Sequence, residues 1–115
     1  MDRASVKKTH SYHPQVREAA TVLGLEVARA RRERRWTAVD LAERAGISPV
    51  TLRKIERGDP SVALGTVFEV ASLLGIPLLS PDRRGLAQLA DQATTRLALL
   101  PARVRARHTE VRDDF

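Results

Sequence analysis

Between residues 49 and 57 the sequence reads PVTLRKIER, which places Val50, Arg53, Lys54 and Arg57 at helical spacing. On a 3.6-residue period these side chains share one exposed face, while Leu52 and Ile55 point the other way. A short helix carrying three cations on its free face suits insertion into the major groove of a nucleic-acid duplex. Covalent chemistry has little to work with: there is no cysteine, no glycine-rich phosphate loop, and no carboxylate–histidine cluster on an ordered segment. An enzyme is not expected. His10 and His13 have an HxxH-like spacing, but without a third ligand or a helix signal they read as solvated. Neither a metal nor a cofactor is expected.

The elements that must hold this face are visible on either side of it. Thr37 with Asp40 forms a Thr-x-x-Asp capping-box pattern, so a helix opens there, with Leu41, Ala42 and Ala45 as its buried side. Ala42 is small where a second helix must cross closely. Gly46 supplies the positive φ that ends the helix, and Ile47 fills the corner. Ser48-Pro49 is an N-cap followed by proline at the first helical position. Two short helices joined by a tight, glycine-containing turn make a helix–turn–helix. Each signal alone is weak, but the ordered set across residues 36–58 is strong.

The flanks complete an all-α chain. Twenty Lys+Arg against 14 Asp+Glu give a net charge of +6, and most cations are arginine. That favours phosphate and guanine contacts, although such charge also serves solubility. With one Trp, one Tyr and two Phe among 115 residues, the core must be aliphatic. No apolar run approaches the roughly 18 residues of a membrane span, and the N-terminus lacks a secretory signal. A cytoplasmic location is expected.

In chain order, residues 1–13 read as a flexible arm and 14–80 as the helix–turn–helix domain. Residues 81–100 read as a fifth helix and 101–115 as a tail that turns from basic to acidic. Val16, Ala20, Leu23, Val27 and Ala30 make one face of a first helix from Pro14. Gly24 interrupts that helix, so its regular part is expected nearer Leu23. The following RARRERR, residues 29–35, suits a solvated helix end, phosphate contact, or both. Gly58 stops the third helix. Ser61 is expected to cap a fourth, with Leu64, Val67, Phe68, Ala71 and Leu74 inward and Gly75 at its end. The fifth helix, from about Asp82 to Leu100, carries Leu86, Leu89, Ala93, Leu97 and Leu100. That stripe either closes the core or packs against a second copy.

Residues 23–79 resemble the XRE-type, Cro/lambda-repressor-like helix–turn–helix domains of bacteria and phages, through LAERAGIS, TLRKIERG and PSVALGTVFEVASLLGIPL. The resemblance implies a five-helix, lambda-repressor-like DNA-binding domain that reads bases from the start and exposed side of its third helix. Carried onto this sequence, the base-reading positions are Pro49, Val50, Arg53 and Lys54. Arg53 would bond guanine bidentately and Val50 would meet a thymine methyl. Pro49 departs from the polar residue common there, and Ala38 from a phosphate-touching glutamine. Phosphate contacts are then expected from the helix start at Thr37 and Ala38, from Thr51, and from Arg35, Arg44 and Arg57. The family also implies a partly buried Arg31–Glu56 bridge that sets the angle between the first and third helices.

The ending LPARVRARHTEVRDDF resembles the endings of HipB-like antitoxin proteins. Those form dimers, bind palindromic operators and hold HipA-type serine/threonine kinase toxins. The resemblance implies an autoregulating repressor, a homodimer on a palindromic double-stranded operator, and a HipA-like kinase partner. Leu78, Leu79, Leu86 and Leu89 are the expected dimer contacts. Arg103, Arg105, Asp113, Asp114 and Phe115 are the expected partner-binding residues, since an arginine-rich tail ending in an aromatic suits folding onto a partner. A stand-alone regulator without a toxin, or an interaction adaptor on the same fold, are the alternatives.

Overall fold

In the computed structural model, which describes residues 11–80 and 82–104, the chain forms five helices. These are α1 (Pro14–Glu33), α2 (Ala38–Ala45), α3 (Pro49–Glu56), α4 (Leu64–Leu74) and α5 (Arg83–Ala98). No strand occurs among the described residues. The chain divides into two units, Met1–Leu78 and Leu79–Phe115. The fold is all-α and lambda-repressor-like, as the sequence implied.

The core of the first unit gathers Val27 and Ala30 of α1, Leu41 and Ala42 of α2, Leu52 and Ile55 of α3, and Val70 and Leu74 of α4. Ile47, in the turn between α2 and α3, and Trp36 pack against it. The punctuation works by the expected chemistry. Ser48 Oγ accepts from the Thr51 N–H at 3.0 Å. Gly46 and Gly75 end α2 and α4 in the left-handed region, each with φ 72°, where a Cβ would crowd the backbone.

The helix α1 is continuous through Gly24, against the expectation of an interruption there. Gly24 is buried because α3 ends against it. A Cβ at this position would overlap the Ile55 carbonyl oxygen and lie 2.8 Å from that of Glu56. The missing side chain is thus a requirement of helix crossing, not a break in the helix.

Two further corrections concern the edges of the core. Ser61 does not cap α4. Its N–H and hydroxyl both donate to Asp59 Oδ1, at 2.8 and 2.6 Å, so the carboxylate closes a local turn. The helix begins at Leu64 behind Ala63, which provides no side-chain cap. The buried side of α4 is also rotated from the expected stripe: Val70, Ala71 and Leu74 are buried, while Leu64 is 68% exposed. Leu64 and Phe68 instead line an open apolar groove of about 320 Å³, with Val16, Ala20 and Leu23 of α1 on its other side.

In the second unit, α5 opens with Asp82 accepting from the Gly85 N–H at 2.8 Å. The helix has no buried residue. No helix among the described residues is long and apolar enough to cross a membrane.

Candidate nucleic-acid interface

The exposed face of α3 is held by what lies beneath it. Leu52 and Ile55 are buried in the core, which fixes the helix rotation and leaves Val50, Arg53, Lys54 and Arg57 exposed. Pro49 and Thr51 are half-buried. The Thr51 N–H and hydroxyl both engage Ser48, so this residue builds the cap before it serves a phosphate.

Arg31 and Glu56 set the pitch of that helix. Arg31 Nε donates to Glu56 Oε2 at 2.8 Å and Nη2 to Oε1 at 3.1 Å, a bidentate pair that leaves 12% and 15% of the side chains exposed. Arg31 Nη1 also donates to the Trp36 carbonyl at 3.0 Å. One guanidinium therefore joins α1, the end of α3 and the approach to α2. The hydrogen bonds to Glu56 raise its pKa above the ordinary arginine value against the opposing effect of burial, so it stays charged.

The start of α2, with Thr37 and Ala38, is a capped helix N-terminus. Thr37 Oγ1 accepts from the Asp40 N–H at 3.0 Å, and Asp40 Oδ2 accepts from the Thr37 N–H at 2.9 Å. The Ala38 side chain packs against the core, so this residue has only its backbone to offer a phosphate. The Thr37 N–H, and then its hydroxyl contact, hold the Asp40 carboxyl below its ordinary value. A lowered folded-state pKa means that the box stabilises fully above the unfolded value, about 3.9 for aspartate. The contribution is lost as pH falls through the folded value. Thermal melts should accordingly show a gap between wild type and Asp40→Asn at neutral pH that closes in strong acid. A gap of constant size would mean that the carboxylate charge is irrelevant to the cap.

The arginine run 29–35 divides by partner in a way the sequence did not disclose. Arg29 is bonded to Glu26 and Glu33 on α1 itself. Arg34 Nη1 donates to the Ala30 carbonyl at 3.0 Å and Nη2 to that of Leu74 at 2.9 Å. It thereby adds a donor to the Ala30 carbonyl, which also accepts from the Arg34 N–H, and satisfies the Leu74 carbonyl at the end of α4. Arg35 occupies the left-handed region with φ 59°, which turns the chain from α1 toward α2. Its side chain and that of Arg32 make no hydrogen bond to another described residue, and both are exposed.

Arg44, expected at a phosphate, lies with its guanidinium 4.1 Å from the centroid of the Trp36 ring, and Arg34 lies 5.7 Å from the same ring. The lone tryptophan is thus a stacking platform for cations. Its position directly after a basic run was the available signal.

The structure also gives Thr51 and Lys54 neighbours that motif reading passed over. Thr51 and Lys54 of α3 share a polar cleft of about 250 Å³ with Ser61, Val62, Ala63 and Thr66. Ala63 provides no side-chain cap to α4, so the cleft brings the start of that helix together with a cation and hydroxyl groups. A phosphate oxygen is the natural occupant for such a combination. No group of three or more metal-ligating side chains occurs among the described residues. Of the expected tail residues, Arg103 is exposed, whereas Arg105, Asp113, Asp114 and Phe115 lie outside the described residues.

Comparison with known proteins agrees with this geometry. Residues 27–79 match a family model described as helix–turn–helix. The chain is also 30% identical, over 88 residues, to the HTH-type transcriptional regulator SutR of Escherichia coli (strain K12). That alignment takes in 71% of this chain and 49% of the relative, so the chain spans about half the length of the protein it matches. No solved structure matches. The family match covers the helices that carry the α3 face, and the relative is by its name a transcriptional regulator. Residues 27–79 are a helix–turn–helix domain of the XRE type.

Proposed function

We propose that this protein is a sequence-specific, dimeric transcriptional repressor acting on double-stranded DNA in the bacterial cytoplasm. The observation that carries the reading is the free face of α3. Val50, Arg53, Lys54 and Arg57 stand exposed on a helix whose buried side and bridge to α1 fix its direction. Arg53 and Lys54, with Val50 and Pro49, read bases. Arg35, Arg57, the start of α2 and the cleft at Thr51 hold phosphates, with Arg44 able to join them only from its stack on Trp36.

Two substitutions separate these roles. Arg53→Ala is expected to cost about 1–3 kcal/mol on the operator and to relax specificity at one base pair per half-site. Arg57→Ala should weaken binding to all duplexes alike and lower the salt dependence by about one phosphate contact. Fluorescence anisotropy on matched and scrambled duplexes reads both. If Arg53→Ala weakened the two duplexes equally, base reading would have to be assigned elsewhere.

A repressor of this kind binds an inverted repeat as a two-fold dimer, with third helices one duplex turn apart, about 34 Å. Leu79, Leu86 and Leu89 are exposed at 74%, 44% and 41%, with Leu78 half-buried, and these supply the dimer contacts. The likeness of the C-terminal tail to HipB-like endings supports a finer reading, that of an antitoxin that represses its own operon and holds a HipA-like kinase. Deleting residues 103–115 tests this directly. Loss of co-purification with the neighbouring gene product, at unchanged operator affinity, supports the antitoxin. Loss of salt-dependent DNA affinity alone makes the tail a basic extension and the protein a stand-alone regulator.

A further inference from the structure

The open groove between the first half of α1 and the start of α4 takes no part in the DNA-reading face. It is lined by Val16, Ala20 and Leu23 of α1, Leu64 and Phe68 of α4, and Ile55 of α3. The three α1 residues precede the family-matched stretch 27–79, so the family match does not supply this wall. By helical period Ile55 lies on the side of α3 away from Val50, so an occupant and a duplex do not compete for one face. At about 320 Å³ the groove falls within the range of small-molecule sites, about 300–1,000 Å³. Its ten lining residues are few beside the roughly 20–30 a side of a protein interface, which favours a small molecule over a protein partner.

Two lining groups select the charge of the occupant. Asp59 is the one charged residue of the lining. Its Oδ1 accepts from the Ser61 N–H and hydroxyl, while Oδ2 takes no hydrogen bond from any described residue. The Ser61 hydroxyl, and then its N–H, hold the Asp59 carboxyl below its ordinary value, so it is ionised at neutral pH. Lys54 and Arg57 act on it only through space. Phe68, 39% exposed, adds an aromatic ring, which also attracts cations.

We propose that this groove binds a small organic cation, an aromatic or branched alkyl group carrying a protonated amine. The apolar part displaces water from the walls, and the ammonium donates to Asp59 Oδ2 in a charge-assisted hydrogen bond. A neutral analogue covers the same walls but leaves Oδ2 to water. An anionic analogue meets the carboxylate as a like charge.

Amide NMR on the isotope-labelled full chain, without DNA, tests the site separately from DNA reading. The probes are phenethylamine, phenethyl alcohol and phenylacetate, which share one ring and differ in charge. Phenethylamine should bind in the millimolar range, at least about tenfold more tightly than the other two. The shifted amides should gather at Ala20, Leu23, Val62 and Val67, which line the groove. Asp59→Asn keeps an oxygen for Ser61 and should bring the amine down to the affinity of the alcohol. Leu64→Ala, at a side chain 68% exposed, should weaken amine and alcohol alike at unchanged Tm. Equal binding of the three probes, an amine preference that survives Asp59→Asn, or shifts centred elsewhere would overturn the proposal. So would a groove that no probe shifts. Amides there that move instead on dilution, or on removal of residues 1–10, would give the groove to a second copy or to the chain's own arm.

Discussion

Replacing Glu56 with alanine is expected to lower the stability of the first unit by about 3 kcal/mol, near the low end for breaking a buried ion pair. The bridge keeps 12% and 15% side-chain exposure, so water reaches it slightly and the upper end of that range does not apply. The loss comes from the arginine left behind. Without Glu56, Arg31 retains only its bond to the Trp36 carbonyl and leaves most of a guanidinium poorly solvated. In a domain of this size the change corresponds to a drop of roughly 12–24 °C in Tm. Replacing both partners with apolar residues of similar shape, Arg31→Met with Glu56→Leu, should cost less than the single change, because no orphaned charge remains. Equal losses in the single and double variants would show that the pair contributes no coupling. The double variant should also bind DNA less well than its melting temperature suggests, since α3 loses its fixed angle to α1.

Gly24→Ala is the second large effect, expected at about 3 kcal/mol of destabilisation despite the higher helix propensity of alanine. On a solvent-facing helix this substitution would stabilise by up to about 1 kcal/mol. Here the added methyl meets backbone, with the carbonyl oxygens of Ile55 and Glu56 directly over it, and backbone cannot swing aside as a side chain would. Relief requires α3 to move away from α1, which also lengthens the Arg31–Glu56 bonds. Denaturant unfolding that found Gly24→Ala as stable as wild type would mean that the helices do not cross this closely. Gly65, where an added Cβ meets nothing within 4 Å, is the internal control and should accept alanine without loss.

These two sites mark the limit of what could be read from residues alone. The short-range signals were readable because their physics is local. The capping box at Thr37 and Asp40, the cap at Ser48, and the positive-φ glycines at 46 and 75 each act within a few residues. The face of α3 followed from helical period, since Leu52 and Ile55 had only one way to point. Gly24 misled because a glycine within a helix signals either a break or a close crossing, and only the neighbouring helix decides which. Ser61 misled because Asp59, two residues earlier, took up its N–H and hydroxyl.

The arginine run was the least readable stretch. Arg29, Arg31, Arg34 and Arg35 have similar local sequence, yet they end at α1, α3, α4 and a left-handed turn respectively. Partners up to 40 residues away make that division, and no local pattern encodes it. The polar cleft at Thr51 and Lys54 was hidden for the same reason, because half of it comes from the start of α4.

The central claim, that the exposed face of α3 reads a specific duplex, is tested most directly by footprinting the purified full-length protein on the DNA upstream of its own gene. The experiment belongs at physiological salt, because non-specific phosphate binding dominates at low salt. Protection should cover an inverted repeat whose half-sites are centred one duplex turn apart, about 34 Å, and should survive an excess of unrelated DNA. Uniform protection that unrelated DNA competes away, or none at all, would contradict sequence reading by α3.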